Sequence, residues 1–201
     1  MSLTLIIIAI TCVVSFSAFN DRSVMDKLIL WPPAVAGNGQ YHRLITYGLV
    51  HADFQHLLFN MITLFFFGRV IEQFYGVFTG ALGFVFFYVS ALLVSILPTY
   101  LKHKNDRNYR SLGASGAVSA VLFAFILLKP WAVIYLYVIP VPAILYAVAY
   151  VAYSIYSERQ GGDNINHSAH LWGAAYGVAF TLAIEPRVFG GFLEALTHPG
   201  L

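Results

Sequence analysis

The chain has 201 residues, of which 59% are hydrophobic and only 10% charged, with a mean hydropathy of +0.74. A soluble domain carries roughly 25% charged residues, so this composition excludes a water-facing exterior and reads as a single membrane domain over 1–201. A formal net charge of +2 gives no reason to expect nucleic acid as a partner, and the single cysteine, Cys12, excludes an intrachain disulfide and any cysteine-based metal motif.

A helix crossing the hydrocarbon of a bilayer needs roughly 20 mostly apolar residues. Six segments approach that length: 3–19, 54–71, 77–97, 111–128, 131–155 and 167–184. They predict an all-α membrane protein, a polytopic bundle of six transmembrane helices surrounded by the lipid bilayer. Strands are not expected, because the runs are continuous and lack an alternating pattern. The first segment has no charged leader and no small-residue cleavage site after it, so it reads as a retained helix. The connection 20–53 holds Trp31-Pro32-Pro33 and Gly37-Asn38-Gly39, which predict an irregular outer loop with short helical pieces. The loop 100–110 is basic, and Lys129-Pro130 closes the fourth helix. The loop 157–166 contains Gly161-Gly162 and predicts a mobile lid. The tail after Glu185 is too broken to span.

Small residues recur at four-residue spacing on two of these helices. Gly116, Ala120 and Ala124 lie on the fourth, and Ala169, Gly173 and Gly177 on the sixth. Such stripes let helix backbones approach closely in lipid, so the fourth and sixth helices are expected to pack together.

Polar groups inside a membrane are costly and mark function by default. His56 and Asn60 stand four residues apart on one face of the second helix, with His51 just before it. Gly113-Ala114-Ser115-Gly116 opens the fourth helix, and His167 and His170 lie near the start of the sixth. No Asp lies inside any predicted helix, so paired-aspartate chemistry is excluded, and there is no H-E-x-x-H for a metalloprotease. Serine chemistry needs a hydroxyl, a base and oxyanion donors, and Ser115, His170 and the His56/Asn60 pair supply them. Taken singly, each has a plainer reading: a backbone-bonded helix serine, an interhelical donor, structural glue. His167 and His170, three apart, could also hold a metal.

Depth adds to the serine reading. From Ser115 to Leu128 a helix rises roughly 20 Å, against ~30 Å of hydrocarbon, which leaves Ser115 about 10 Å below one interface. A helix starting there exposes unpaired N–H groups that must line a wet, protein-walled cavity. The same N–H groups, with the positive end of the helix dipole, suit an oxyanion.

These residues resemble the rhomboid intramembrane serine proteases over roughly 31–177. The resemblance rests on Gln40-Tyr41-His42-Arg43-Leu44-Ile45-Thr46, on His51-x4-His56-Leu57-Leu58-Phe59-Asn60, and on Gly68, Glu72 and Gly76 as G-x3-E-x3-G. It rests further on Gly113-Ala114-Ser115-Gly116 as G-x-S-G and on Ala169-His170-x2-Gly173. The resemblance implies Ser115 as nucleophile and His170 as general base in a dyad, with His56, Asn60 and the Ser115 N–H forming the oxyanion hole. Gly113, Gly116, Gly173, His51, Arg43 and Glu72 would be structural or supporting. It implies transmembrane segments of other membrane proteins as substrates, no metal, no other cofactor and a multi-pass place in the cell (inner) membrane. Non-catalytic client binding and small-molecule transport remain the alternatives. One departure stands out: many members carry Tyr four residues after the serine, stacked on the catalytic His, and this chain carries Ser119.

Orientation is contested by two arguments. The family topology puts 20–53, 100–110 and 157–166 outside, with Arg22, Lys27, Arg43, Lys102, Lys104, Arg107, Arg110 and Arg159; only Arg69, Lys129 and Arg187 face the other side. The positive-inside rule, a statistical bias in insertion, favours the reverse; the family orientation is the one expected, because it goes with where the family's substrates are presented.

Overall fold

The computed structural model describes residues 2–136, 138–162 and 165–198. The chain begins with α1 (Leu3–Asn20). The long first connection then folds into α2 (Arg22–Leu28), α3 (Pro32–Asn38), α4 (Arg43–Thr46) and a 3-10 turn at Tyr47–Leu49. Each piece has a local cause. The Asp21 side chain accepts from the Ser23 N–H at the start of α2, Pro32 opens α3, and Gly39 ends it at φ +67°. Arg43 is buried within this loop. Its Nη1 donates to the carbonyls of Asp26 and Ile29 at 2.8 and 2.7 Å, and its Nε donates to Gln40 Oε1 at 2.6 Å. The guanidinium is therefore engaged inside the fold.

The second long helix is built from α5 (Phe54–Thr63), a π turn at Leu64–Gly68 and α6 (Arg69–Thr79). It outruns the expected end at 71, because Gly76 stays helical and the chain turns only at Gly80, φ +74°. Glu72 caps α1 from here: its carboxylate accepts the Leu3 and Thr4 N–H groups at 2.7 and 2.9 Å and the Ser2 and Thr4 hydroxyls, each at 2.6 Å. Helix-end N–H groups that face lipid need such internal partners.

Next come α7 (Gly83–His103) and α8 (Ser115–Leu128). The third helix thus starts six residues later than expected and runs through Pro98, while the fourth starts at Ser115, not at 111. Ser111 instead pairs with Leu30 of the first loop. The expected helix over 131–155 needs the largest correction. Residues Val133–Leu136 (β1) and Ile139–Pro142 (β2) form an antiparallel hairpin, with Val133 opposite Pro142 and Leu136 opposite Ile139. Pro140 and Pro142 cannot donate within a helix, and Val133, Ile134, Ile139 and Val141 are β-branched. Helix α9 (Ala143–Gln160) follows, then α10 (His167–Ile184) and the amphipathic α11 (Arg187–Thr197). Trp131 Nε1 donates to the Ala195 carbonyl at 2.8 Å and ties α11 to the hairpin. Residues 157–160 of the expected lid belong to α9; residues 163–164 of it lie outside the described residues.

The protein is therefore mostly helical but not all-α. Among the described residues three helical stretches are long and apolar enough to cross a membrane, Leu3–Asn20, Phe54–Thr79 and Gly83–His103. Helix α8 is apolar but only 14 residues long, and α9 and α10 have 18 residues each. The expected six spans are thus met by length and composition for three.

Helix α8 is the core. Every residue from Gly116 to Leu127 is buried. The two small-residue stripes meet: a Cβ on Gly173 would collide with the Gly116 carbonyl, and one on Gly177 with the Ala120 carbonyl. Backbone cannot give way as a side chain can, so Gly173→Ala is expected to cost about 2–3 kcal/mol, or roughly 5–10 °C in melting temperature for a chain of this size. Thermal unfolding in detergent measures it. Gly37→Ala is the control, since no atom lies within 4 Å of a Cβ there.

Candidate active site

Ser115 is the first residue of α8, and the turn before it is set by glycine. Gly113 has φ +109°, its N–H donates to the Tyr47 carbonyl at 2.9 Å, and the His56 ring covers it so closely that a Cβ would lie 2.6 Å from Cε1. Both the conformation and the space require glycine. His51 holds the next residue. It is fully buried, its Nδ1 meets Ser15 Oγ at 3.0 Å, and its Nε2 accepts the Ala114 N–H at 3.4 Å. Because Ser15 donates to the Leu49 carbonyl, the His51 proton belongs on Nδ1. Burial, aided by the nearby His56 ring, pushes the His51 imidazole down to about 3 and keeps it neutral.

His170 lies one turn into α10. Its Nε2 is 2.8 Å from Ser115 Oγ. The start of α10 is fixed by Asn166, whose Oδ1 accepts the Ala169 N–H at 3.0 Å and the Thr99 hydroxyl at 3.1 Å, while its Nδ2 donates to Ser111 Oγ at 3.3 Å. One carboxamide thus joins α7, the segment before Ser115 and the His170 helix. Sequence reasoning did not single out Asn166; its place just ahead of the helix as a cap residue is the signal that could have found it.

His56 and Asn60 come from α5, which Asp53 starts by accepting the His56 N–H at 2.7 Å. The buried Asn60 donates one amide hydrogen to the His56 carbonyl at 2.9 Å, which leaves its second N–H for the cavity. Ser115, His170, His56, Asn60, Gly113 and Gly116 all line one cavity of about 860 Å³. Gln55, Asn108, Tyr109 and Asn166 add polar wall, so the cavity can hold water beside the hydroxyl. Gly173 stands one turn beyond His170, against Gly116. Arg43 and Glu72 sit away from this cavity, in the first loop and at the foot of α1. His167 is buried, with its ring edge-on to His170 at 5.8 Å. Among the described residues no third His, Cys, Asp or Glu joins that pair in a group that could hold a metal ion.

A helical membrane protein with a serine–histidine pair at the buried start of a central helix is the class that fold and cavity define. A family model described as a Rhomboid domain matches residues 38–187, and the chain belongs to the rhomboid family. It is 34% identical over 174 residues to RHOMBOID-like protein 12, mitochondrial, of Arabidopsis thaliana, covering 81% of this chain and 52% of that one. It is 35% identical over 98 residues to "Putative rhomboid protease YdcA" of Bacillus subtilis, 46% of each chain, and 33% identical over 143 residues to Rhomboid protein 1, mitochondrial, of Saccharomyces cerevisiae, 69% of this chain and 40% of that one. The chain spans about half the length of these relatives or less. Two of the three names place the relative in mitochondria, so the expected cell (inner) membrane gains no support from them.

Proposed function

We propose that the protein is an intramembrane serine endopeptidase working through Ser115 and His170. The observation that carries this reading is the 2.8 Å contact between Ser115 Oγ and His170 Nε2 at the N-terminus of α8, inside a polar-walled cavity. Ser115 Oγ attacks the scissile carbonyl carbon while its proton passes to His170 Nε2. The carbonyl oxygen becomes an oxyanion held by the Ser115 N–H, the second Asn60 N–H and His56. The C–N bond then breaks, and His170 returns its proton to the leaving amine. Water, deprotonated by His170, hydrolyses the acyl-enzyme in the second half of the reaction. The predicted helices contain no Asp to orient the imidazole, which fits a dyad. The chemistry requires neither metal nor another cofactor.

The substrate is a transmembrane segment of another membrane protein, reached through the bilayer. A helix hides its carbonyls in i→i−4 bonds, so a cleavable segment must unwind locally, and Gly, Ser, Ala or Pro near the cut favours that. A fluorescent fluorophosphonate is expected to label the purified protein covalently and to leave Ser115→Ala unlabelled. Equal labelling of both would end the serine mechanism and return the cavity to client binding or transport.

A further inference from the structure

Ser119 lies one turn after Ser115 on α8 and is buried. Its hydroxyl is 2.6 Å from the phenolic oxygen of Tyr150, which comes from the neighbouring helix α9. The Tyr150 ring faces the His170 imidazole with centroids 6.0 Å apart and planes 26° from parallel. Offset ring pairs are favourable over this range of separations. Phe123 of α8 and Tyr146 of α9 hold the Tyr150 ring from other sides, at 5.6 and 5.8 Å.

A hydrogen bond such as the one to Ser115 fixes one atom of an imidazole, not the plane of its ring. A face contact fixes the plane. A base that takes a proton from Ser115 and then delivers it to a leaving amine needs both constraints, because small misplacements of reacting groups cost rate steeply. We infer that Tyr150 is a positioning residue for His170, with Ser119 as its tether, an inference that rests on Ser115 and His170 forming the dyad. Two helices cooperate in this support. Helix α8 supplies the hydroxyl that fixes the phenol, and α9 supplies the ring.

The test uses the full chain in detergent or bicelles with a transmembrane substrate. Ring pairs of this kind contribute about 0.5–1.5 kcal/mol, so Tyr150→Leu is expected to lower kcat roughly three- to tenfold with KM unchanged. The rate of fluorophosphonate labelling at Ser115 should fall in parallel. Tyr150→Phe combined with Ser119→Ala keeps the ring but removes the tether, and its kcat should fall between those of wild type and Tyr150→Leu. If Tyr150→Leu does not fold, Tyr150→Met, of similar length but without a ring, carries the same expectation. The inference is overturned if kcat stays at the wild-type value in the Leu or Met variant. It is equally overturned if the loss lies in KM alone, or if the Phe/Ala double variant loses as much as Leu. Cleavage that survives Ser115→Ala would end the underlying dyad; a Ser115-dependent protease indifferent to Tyr150→Leu would end this inference alone.

Discussion

Ser115→Ala and His170→Ala each remove cleavage of a transmembrane substrate, by on the order of 10⁶-fold where nucleophile and base act as a unit. The expectation follows from the direct contact between Ser115 Oγ and His170 Nε2, which makes neither residue useful without the other. The double variant should therefore be no slower than either single one, a non-additivity that independent contributions would not produce. Both variants should stay folded. Ser115 and His170 are only half-buried beside the cavity, and neither substitution enlarges a side chain. His167→Ala is the internal comparison. It removes the neighbouring imidazole at 5.8 Å but not the one touching the serine, and should leave most of the activity. The measurement is single-turnover cleavage in reconstituted membranes, with melting temperatures alongside. Near-normal turnover in purified Ser115→Ala would refute the mechanism.

The second large effect concerns the oxyanion. Asn60→Ala is expected to lower kcat by about 10²–10³, with a smaller change in KM, because a donor aimed at the developing charge contributes little before that charge exists. The geometry behind this is the buried carboxamide at the cavity wall, with one N–H bonded to the His56 carbonyl. That bond holds the amide plane, and the second N–H is the one proposed to meet the oxyanion. Asn60→Asp tests the sign of the interaction. A carboxylate there repels the oxyanion and should be at least as damaging as alanine, although its size is nearly that of asparagine. A change confined to KM in both variants would make Asn60 a substrate-binding group instead.

How far the sequence could be read depends on which physical signal each feature leaves. Ser115, His170, His56 and Asn60 were legible because a polar group in an apolar run has few reasons to be there, and the structure brings all four to one cavity. The packing of α8 on α10 was legible for a similar reason: Gly116, Gly173 and Gly177 sit where a Cβ would strike backbone or a buried side chain. The pairing of β1 with β2 was not legible from hydropathy, which measures transfer from water and is blind to backbone conformation; Pro140 and Pro142 are the clue in an otherwise apolar run. The end of the second helix and the start of the third were misplaced: the second runs on through Gly76, and the chain turns at Gly80 instead. Tyr150 was hidden among Tyr146, Tyr153 and Tyr156 on the same helix. Nothing in the sequence separates one aromatic from the next until three dimensions show which one reaches the imidazole.

The short central helix also gives the cavity a floor. Below Ser115, every residue from Gly116 to Leu127 is packed among its neighbours, which puts about 18 Å of sealed apolar helix beneath the serine at ~1.5 Å per residue. Water can stand beside the hydroxyl, but it stands in a well with a floor. On α8 the lining of the cavity goes no deeper than Gly116. The hydrolysis we propose needs water at this depth only, with packed apolar helix beneath it.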